Sequence, residues 1–574
     1  MPVHNADIAA KLDEIADLLE IEDANPFRIR AYRNAARTLR DLSREVTSLL
    51  AQGEDLTELP GIGKDLAGKI EDIVKTGTTP MLDEHRRAVP PTLVELLKIP
   101  GLGPKRVKTL SRTLGIRTLK DLHHAARTGR ISALTGFGEK LERQILHELE
   151  ARAGAEGRFK LATAAQYAEA LVAYLKASPG VGRVVAAGSY RRARETIGDL
   201  DILATARADS PVMDRFVSYD EVEAVLAHGG TKATVRLACK LQVDLRVVSE
   251  ESYGAALQYF TGSKAHNIVL RQLAQQRGLK VNEYGVFKEE RRVAGQTEES
   301  VYAAVGLPWI PPELRENRGE FDAAREGRLP QLVQLGDLRG DLHAHTNATD
   351  GRNNLTEMAR TARARGFEYL AICDHSQRLA MTHGLDAKRL LAQLDEIDRL
   401  NETKPGITLL KGIEVDILED GRLDLPDGVL GRLDLVVAAV HSHFNLSRER
   451  QTERILRAMD RPHFTILAHP SGRLIQEREP YDVDLPRLIR QARERQCFLE
   501  VNAHPERLDL ADAYCRMAKE EGVLVSINSD AHSVLDFENL RFGVGQARRG
   551  WLEPTDVLNS RPLSALRPLL QRTM

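Results

Sequence analysis

The rhythm of apolar positions changes twice along the chain. Through residues 1–155 apolar residues recur at helical spacing, in short runs broken by Gly-rich turns and with almost no β-branched stretches, which predicts a series of short helices. From about residue 158 the alternation tightens to every second position in VGRVVAAGS, GDLDILAT and KLQVDLRVV, with helical stretches between, which predicts an α+β region continuing to about residue 318. The Pro- and charge-rich LPWIPPELRENRGEFDAAREGRLPQL then reads as a linker. From residue 336 onward apolar runs alternate with helical patterns roughly every 30 residues, the rhythm of a closed βα barrel. With 574 residues the chain is too long for one core and is expected to divide into several domains.

Composition alters this picture little. A hydrophobic fraction of 42% and a charged fraction of 29% exclude an intrinsically disordered chain. No apolar run approaches the roughly 20 residues that span a bilayer, and MPVHNADIAAKLDE lacks the apolar core of a secretion signal. Cys239, Cys373, Cys497 and Cys515 form no CxxC pair, so neither a disulfide framework nor a zinc knuckle is expected, and a reducing cytoplasm is the natural compartment. The formal net charge of −2 decides little about nucleic acid, because phosphate binding follows local charge and backbone amides. Locally, Lys98, Lys105, Arg106, Lys108, Arg112, Arg117 and Lys120 share one stretch without an acid, and a second basic helix carries Arg28, Arg30, Arg33, Arg37, Arg40 and Arg44.

One device recurs three times, in LPGIGKDLAGKI (59–70), IPGLGPKRVKTL (99–110) and LTGFGEKLERQI (134–145). A Gly-x-Gly turn (Gly61 and Gly63, then Gly101 and Gly103) leads into a helix, with Lys64, Lys69, Lys105, Arg106 and Lys140 alongside. Glycine permits positive φ and bares the amides of the helix start, whose partial positive charge suits a phosphate. Three such turns with basic flanks read as contacts to a DNA backbone that carry no base specificity.

The middle region holds GSYRRARETIGDLDIL (188–203) and QVDLRVV (242–248). Strand alternation sends Asp199 and Asp201 to one face while Leu200 and Ile202 enter the core, and Asp244 alternates likewise between Val243 and Leu245. Three converging carboxylates need compensating cations; two Mg²⁺ or Mn²⁺ ions would activate a 3′-hydroxyl and hold a triphosphate. Gly188 and Ser189 allow close approach to phosphate, and Arg192 can neutralise a leaving pyrophosphate.

The last region concentrates histidine: ten of the chain's 17 lie beyond residue 336. The apolar runs end in GDLHAHTNATD, YLAICDHS, LLKGIEVD, VVAAVHSH, FTILAHP, FLEVNAH and VSINSDAH. In a βα barrel these C-terminal strand ends gather on the catalytic rim. His343, His345, Asp350, His375, Glu414, His441, His469, Asp530 and His532 are the candidate ligands of a multinuclear site, with Asn502 or His504 as a contribution from FLEVNAH. Carboxylates among imidazoles suit Zn²⁺, Mn²⁺ or Fe without choosing between them.

The repeated turns resemble the helix-hairpin-helix motif of DNA-repair proteins. The GS…DLD…D arrangement resembles the nucleotidyltransferase superfamily, and its context resembles family X DNA polymerases, of which polymerase beta is the familiar member. By that resemblance YFTGSKAHNIVLRQLAQQRGLKVNEYGVF (259–287) is the dNTP-binding thumb. Tyr259, Phe260 and Gly262 would then line the incoming sugar, Asn267 its base edge, and Arg271 the template minor groove. Arg28 and Tyr32 would sit near a downstream 5′-phosphate, and Lys69 would match the Schiff-base lysine of a sugar-phosphate lyase. Gln242 stands where polymerase beta has an arginine, and Asp65 replaces a basic residue of the first hairpin. The final region resembles the PHP (polymerase and histidinol phosphatase) domain, a distorted barrel of seven βα units carrying up to three metals; His443 fits that pattern less clearly and reads as a substrate contact.

The resemblances imply an 8-kDa-like helix-hairpin-helix domain at 1–82, a second at 83–157, a nucleotidyltransferase palm at 158–250, a thumb at 251–318, a linker at 319–335 and a PHP domain at 336–574. They imply a cytoplasmic, nucleoid-associated monomer that binds gapped or nicked DNA and dNTPs and no membrane. It would fill short gaps in base-excision or break repair, with a 3′→5′ exonuclease in the PHP domain and abasic-site cleavage or 3′-phosphate removal as further activities. The alternatives are a DNA-end-binding scaffold with an inactive centre, and a polymerase whose PHP domain is a small-molecule phosphatase.

Overall fold

The computed structural model describes residues 5–22, 24–42, 45–88, 91–97, 99, 101–134, 136–139, 141–146, 149, 157–379, 382–403 and 406–574. The chain forms two compact units, Met1–Arg158 and Phe159–Met574. No helix among the described residues is long and apolar enough to cross a membrane. All four cysteines are free thiols.

The first unit is helical. Helix Asn5–Ile21 buries Ile8, Leu12, Ile15 and Leu19, one stripe at helical spacing, and packs on helix Pro26–Asp41. A further core joins Leu96, Leu102, Val107, Leu110, Leu122 and Phe137 around helix Pro104–Leu114.

The second unit begins with a five-stranded sheet whose strands lie in the order Val181–Ala186, Asp199–Ala206, Gln242–Val248, Lys232–Leu237, Val222–His228. Helices Tyr253–Thr261 and Lys264–Gln276, a three-stranded sheet and helix Glu298–Ala304 follow. The stretch expected as a linker is folded. Helix Glu320–Arg325 buries Phe321, Ala323 and Ala324 in the core beneath the thumb-like helices, Leu332 joins them, and Val333 enters the core of the barrel. Its Pro and charge content hid these apolar contacts, each made with residues distant in sequence.

The barrel is built from parallel strands Gly340–Ala344, Tyr369–Ile372, an interrupted third strand (Thr408–Lys411 and Glu414–Asp416), Val437–Ala439, Ile466–Leu467, Phe498–Asn502 and Val525–Asn528. The His375–Glu414 bridge carries pairing across the interruption, and the Ala344–Ala531 bridge closes the last strand on the first. These are the seven strands of the expected distorted barrel.

A buried ion cluster ties the palm-like sheet to the segment behind it. Glu298, 5% exposed, accepts two bonds from Arg191 at 2.8 and 2.7 Å and one at 2.6 Å from Arg315, whose side chain is fully buried. Against its burial, which alone would raise it, these guanidiniums hold the Glu298 carboxyl down at about 2. A depressed carboxyl stabilises the fold above its unfolded value and loses that contribution as pH falls toward the folded one. Glu298→Gln leaves buried Arg315 and half-buried Arg191 without their anion and is expected to cost about 3 kcal/mol at pH 7. In chemical denaturation the gap between the two proteins should narrow by pH 3; an equal gap at both pH values would refute the assignment.

Candidate active sites

The first site lies where strand Asp199–Ala206 runs parallel to Gln242–Val248, setting Asp199 opposite Gln242 and Asp201 opposite Asp244. Leu200, Ile202, Val243 and Leu245 are buried beneath, which leaves the three carboxylates on the other face. Burial, with Asp199 and Asp244 close by, pushes the Asp201 carboxyl up to about 7. Such a pocket carries more negative charge than it can hold alone and has the hard oxygen donors that divalent cations require. Asp244 accepts from Thr234 Oγ1 and, at 3.1 Å, from Gln242 Nε2, so Gln242 serves as a neutral donor to the third carboxylate. A Cβ at Gly188 would fall 2.3 Å from Asp201 Oδ2, and its φ of +60° is glycine's own region; this position admits no other residue.

Gly188, Ser189, Arg192, Asp199 and Asp201 form one side of a cavity of about 340 Å³. Tyr259, Phe260, Gly262, Asn267 and Arg271 form the other. Arg192 donates through Nε to Glu316 at 3.1 Å and through a terminal nitrogen to the Thr261 carbonyl. Asn267 is already engaged at both ends of its amide, accepting from Gln258 at 2.8 Å and donating to the Tyr259 carbonyl at 2.7 Å, which leaves one N–H for a ligand. Lys264 also lines the cavity and was missed in the sequence. Its signal was a cation directly following the Gly262-Ser263 turn.

In the barrel all nine candidate ligands gather at the C-terminal strand ends. Three groups present ligand atoms within 4.8 Å of one another: His345, Asp350, His375 and His532; His343, His345 and Asp530; and His375, Glu414 and His441. His469 Nε2 completes the ring at 2.9 Å from Glu414. Although burial opposes it, His375, His441 and His343 hold the Glu414 carboxyl well below its ordinary value. His343 Nε2 and His375 Nδ1 are buried without hydrogen-bond partners, with Glu414 at 3.6 and 2.7 Å, and unsatisfied imidazole nitrogens beside a carboxylate fit bound transition-metal ions. Two candidate ligands, His469 (φ +28°) and Asp530 (φ +54°), adopt left-handed backbone, strain that the surrounding fold must hold in place.

Sequence reasoning missed the layer behind these ligands. Glu500, fully buried mid-strand, binds His343 Nδ1 at 2.7 Å and so turns Nε2 into the site; Asp416 does the same for His441 Nδ1 at 3.1 Å. Their signal was an acid inside an otherwise apolar strand, in FLEVN and GIEVD. Asn502 donates to Asp530 at 2.9 Å, while His504 belongs to none of the three groups. His443 is 40% exposed and lies 3.9 Å from Glu419, away from the ring of ligands.

Four family models match: a helix-hairpin-helix domain over residues 3–79, a SAM-like helix-hairpin-helix tandem over 93–151, the DNA polymerase beta thumb over 256–316 and the PHP domain over 341–529. The chain is 38% identical to the DNA polymerase/3′-5′ exonuclease PolX of Bacillus subtilis, an alignment covering 99% of this chain and 100% of that protein. It belongs to the PolX family, the family X DNA polymerases with a C-terminal PHP domain. Two further relatives match parts of it. DNA polymerase lambda of Rattus norvegicus is 27% identical over 54% of this chain and 56% of its own length. A probable phosphatase of Thermoanaerobacter is 31% identical over 38% of this chain and 89% of its own.

In this PolX chain the hairpin turns of the first unit have the anticipated geometry. Gly61, Gly101 and Gly136 take φ of +69°, +87° and +86°, and Gly63 and Gly103 cap the following helices without a side chain. Between each glycine pair Ile62, Leu102 or Phe137 is buried, and its amide donates back to the carbonyl of Leu59, Ile99 or Leu134 at 3.0, 2.9 and 3.0 Å, which anchors the turn. Lys64 is exposed at the helix start, and Arg106 folds onto the Gly101 carbonyl at 2.7 Å. Lys98, Lys140, Arg44 and the side chain of Lys105 lie outside the described residues. The second basic helix is less available than its composition suggests: Arg33 pairs with Asp13, Asp17 and Glu20, and Arg40 with Asp13. Arg28 is exposed, whereas Tyr32 is 2% exposed with its hydroxyl on Met81 Sδ at 3.1 Å. Lys69 lies over the Tyr32 ring and pairs with Asp65. Burial works against its ammonium, but the bonds to Asp65 and Tyr32 prevail and raise its pKa. A protonated amine suits a phosphate contact and opposes Schiff-base attack.

Proposed function

We propose that this PolX chain fills short gaps in DNA during base-excision or break repair, and that its PHP domain removes nucleotides 3′→5′. The observation carrying this reading is the presence in one chain of two separate cation-ready pockets, one of three carboxylates beside a nucleotide-sized cavity and one mostly imidazole on a barrel rim. In this reading the protein acts as a monomer on gapped or nicked DNA in the cytoplasm, at the nucleoid.

Mg²⁺ or Mn²⁺ held by Asp199, Asp201 and Asp244 would supply activation of the primer 3′-hydroxyl and neutralisation of the triphosphate. Gly188 and Ser189 let that triphosphate approach the sheet, and Arg192 with Lys264 meets its negative charge in the bound substrate and through to the leaving pyrophosphate. Tyr259 and Phe260, in edge-to-face contact at 5.2 Å, wall the sugar. Asn267 offers its remaining N–H to the base edge, and Arg271 faces the template. The helix starts that follow the Gly61, Gly63, Gly101 and Gly103 turns would contact a phosphate backbone without reading its bases.

In the barrel up to three Zn²⁺, Mn²⁺ or Fe ions would supply an acidified attacking water and a clamp on the scissile phosphate. Glu500 and Asp416 fix the imidazoles that hold them, and Glu414 lies among all three groups of ligands. With Mg²⁺ or Mn²⁺, the full-length protein is expected to insert a nucleotide into a short 5′-phosphorylated gap faster than at an open primer end. No insertion with either ion, by protein that still binds the gapped DNA, would overturn the polymerase reading. The similarity to a probable phosphatase supports a second reading for the PHP domain alone, as a small-molecule phosphatase. Hydrolysis of a phosphate monoester that outcompetes labelled DNA 3′ ends would favour it.

A further inference from the structure

Arg192, which the reading above places on the triphosphate, is held from behind by the PHP domain. Arg549 closes helix Leu540–Arg549, and its side chain is only 2% exposed. One terminal nitrogen donates at 3.0 Å both to the Arg192 carbonyl and to Glu316 Oε1, the oxygen that also accepts from Arg192 Nε at 3.1 Å. The other donates to Asp512 at 2.7 Å. Arg194 approaches Glu316 at 3.8 Å and Arg318 reaches Asp512 at 3.0 Å, so four guanidiniums share two carboxylates. That excess of positive charge adjoins the cavity Arg192 lines.

The helix carrying Arg549 is firmly seated. A Cβ on Gly543 would fall 2.6 Å from Ala503 Cβ, so the helix lies tight against the barrel, and Trp551 just beyond it enters the core beneath the thumb. In the 3₁₀ turn Asp536–Asn539 that leads into it, Asp536 accepts from the backbone amides of His532 and Ser533 at 3.0 and 2.7 Å, beside the metal-ligand loop. The stretch Asp536–Arg549 thus runs from beside the metal-ligand loop to the Arg192 carbonyl behind the polymerase cavity.

We propose that Arg549 is a positioning residue for nucleotide addition: by dividing Glu316 between itself and Arg192, it leaves the Arg192 guanidinium with uncompensated positive charge for the incoming triphosphate. Without Arg549, Glu316 turns wholly to Arg192, and an arginine already paired with a carboxylate attracts phosphate less. The inference rests on the reading of Arg192 as a triphosphate ligand, and the test separates the two.

Full-length Arg549→Ala, Arg549→Lys, Arg192→Ala and the double variant Arg549→Ala with Glu316→Gln are compared in single-nucleotide gap filling, with exonuclease activity on single-stranded DNA as the control for folding. Arg549→Ala is expected to raise the dNTP KM about tenfold with little change in kcat, the signature of lost ground-state binding. Arg549→Lys should recover part of that loss. Removing the unshared carboxylate in the double variant should return KM close to the wild-type value, which a merely structural role for Arg549 would not allow. An unchanged KM in Arg549→Ala, or a raised one that Glu316→Gln fails to relieve, overturns the inference. An unchanged KM in Arg192→Ala overturns the underlying reading, and the inference with it.

Discussion

Asp244→Asn is expected to lower nucleotide incorporation by on the order of 10³-fold while leaving 3′→5′ hydrolysis intact. The substitution is nearly isosteric. An amide oxygen can still accept from Thr234 Oγ1, so the strand pair and its register should persist. What disappears is one of three negative charges, together with the donor competence of an ionised carboxylate toward a hard cation. Gln242 beside it is a neutral donor and supplies no negative charge in its place. The measurement is single-turnover insertion into gapped DNA, with exonuclease rates taken on the same preparation. Full insertion would show that the pocket works with two carboxylates, and equal loss of both activities would show that the two centres are not independent.

The two centres were legible in the sequence to different depths, and the difference is physical. Strand alternation specifies a face, so Asp199, Asp201 and Asp244 could be placed together from their spacing, and the observed register pairs Asp201 with Asp244. The barrel rim was legible because a parallel strand shows its C-terminal end where its apolar run stops, and His343, His375, His441 and His469 stand at or just past such stops. Periodicity says nothing about which charge a charge will meet. Arg33 and Arg40 were legible only as members of a basic helix, and they brace the first helix through Asp17 and Asp13. The folded character of 319–335 was hidden because Phe321, Leu332 and Val333 find their partners far along the chain. Glu500 was overlooked for a related reason: an acid inside an apolar strand is read as noise until the imidazole it orients is seen, 157 residues away.

Glu414→Ala should do to hydrolysis what Asp244→Asn does to insertion, with a loss also on the order of 10³-fold. No other carboxylate in the barrel is approached by so many imidazoles among the described residues. His375 Nδ1 lies at 2.7 Å, His469 Nε2 at 2.9 Å, His441 Nε2 at 3.2 Å, His343 Nε2 at 3.6 Å and His345 Nε2 at 3.7 Å. Those five rings include members of all three ligand groups, so this carboxylate supplies negative charge to the whole set. Its removal takes away a carboxylate that all five imidazoles approach, and each cation bound there loses a source of compensation. Elemental analysis of the purified variant should therefore find at least one fewer ion per chain than in wild type, alongside the lost exonuclease rate. Gap filling should proceed at the wild-type rate, because Glu414 contributes nothing to the cavity beside Asp199 and Asp201. A Glu414→Ala protein that keeps its full metal content and still digests single-stranded DNA would show that the imidazoles alone hold the ions, and that the carboxylate at their centre serves only the fold.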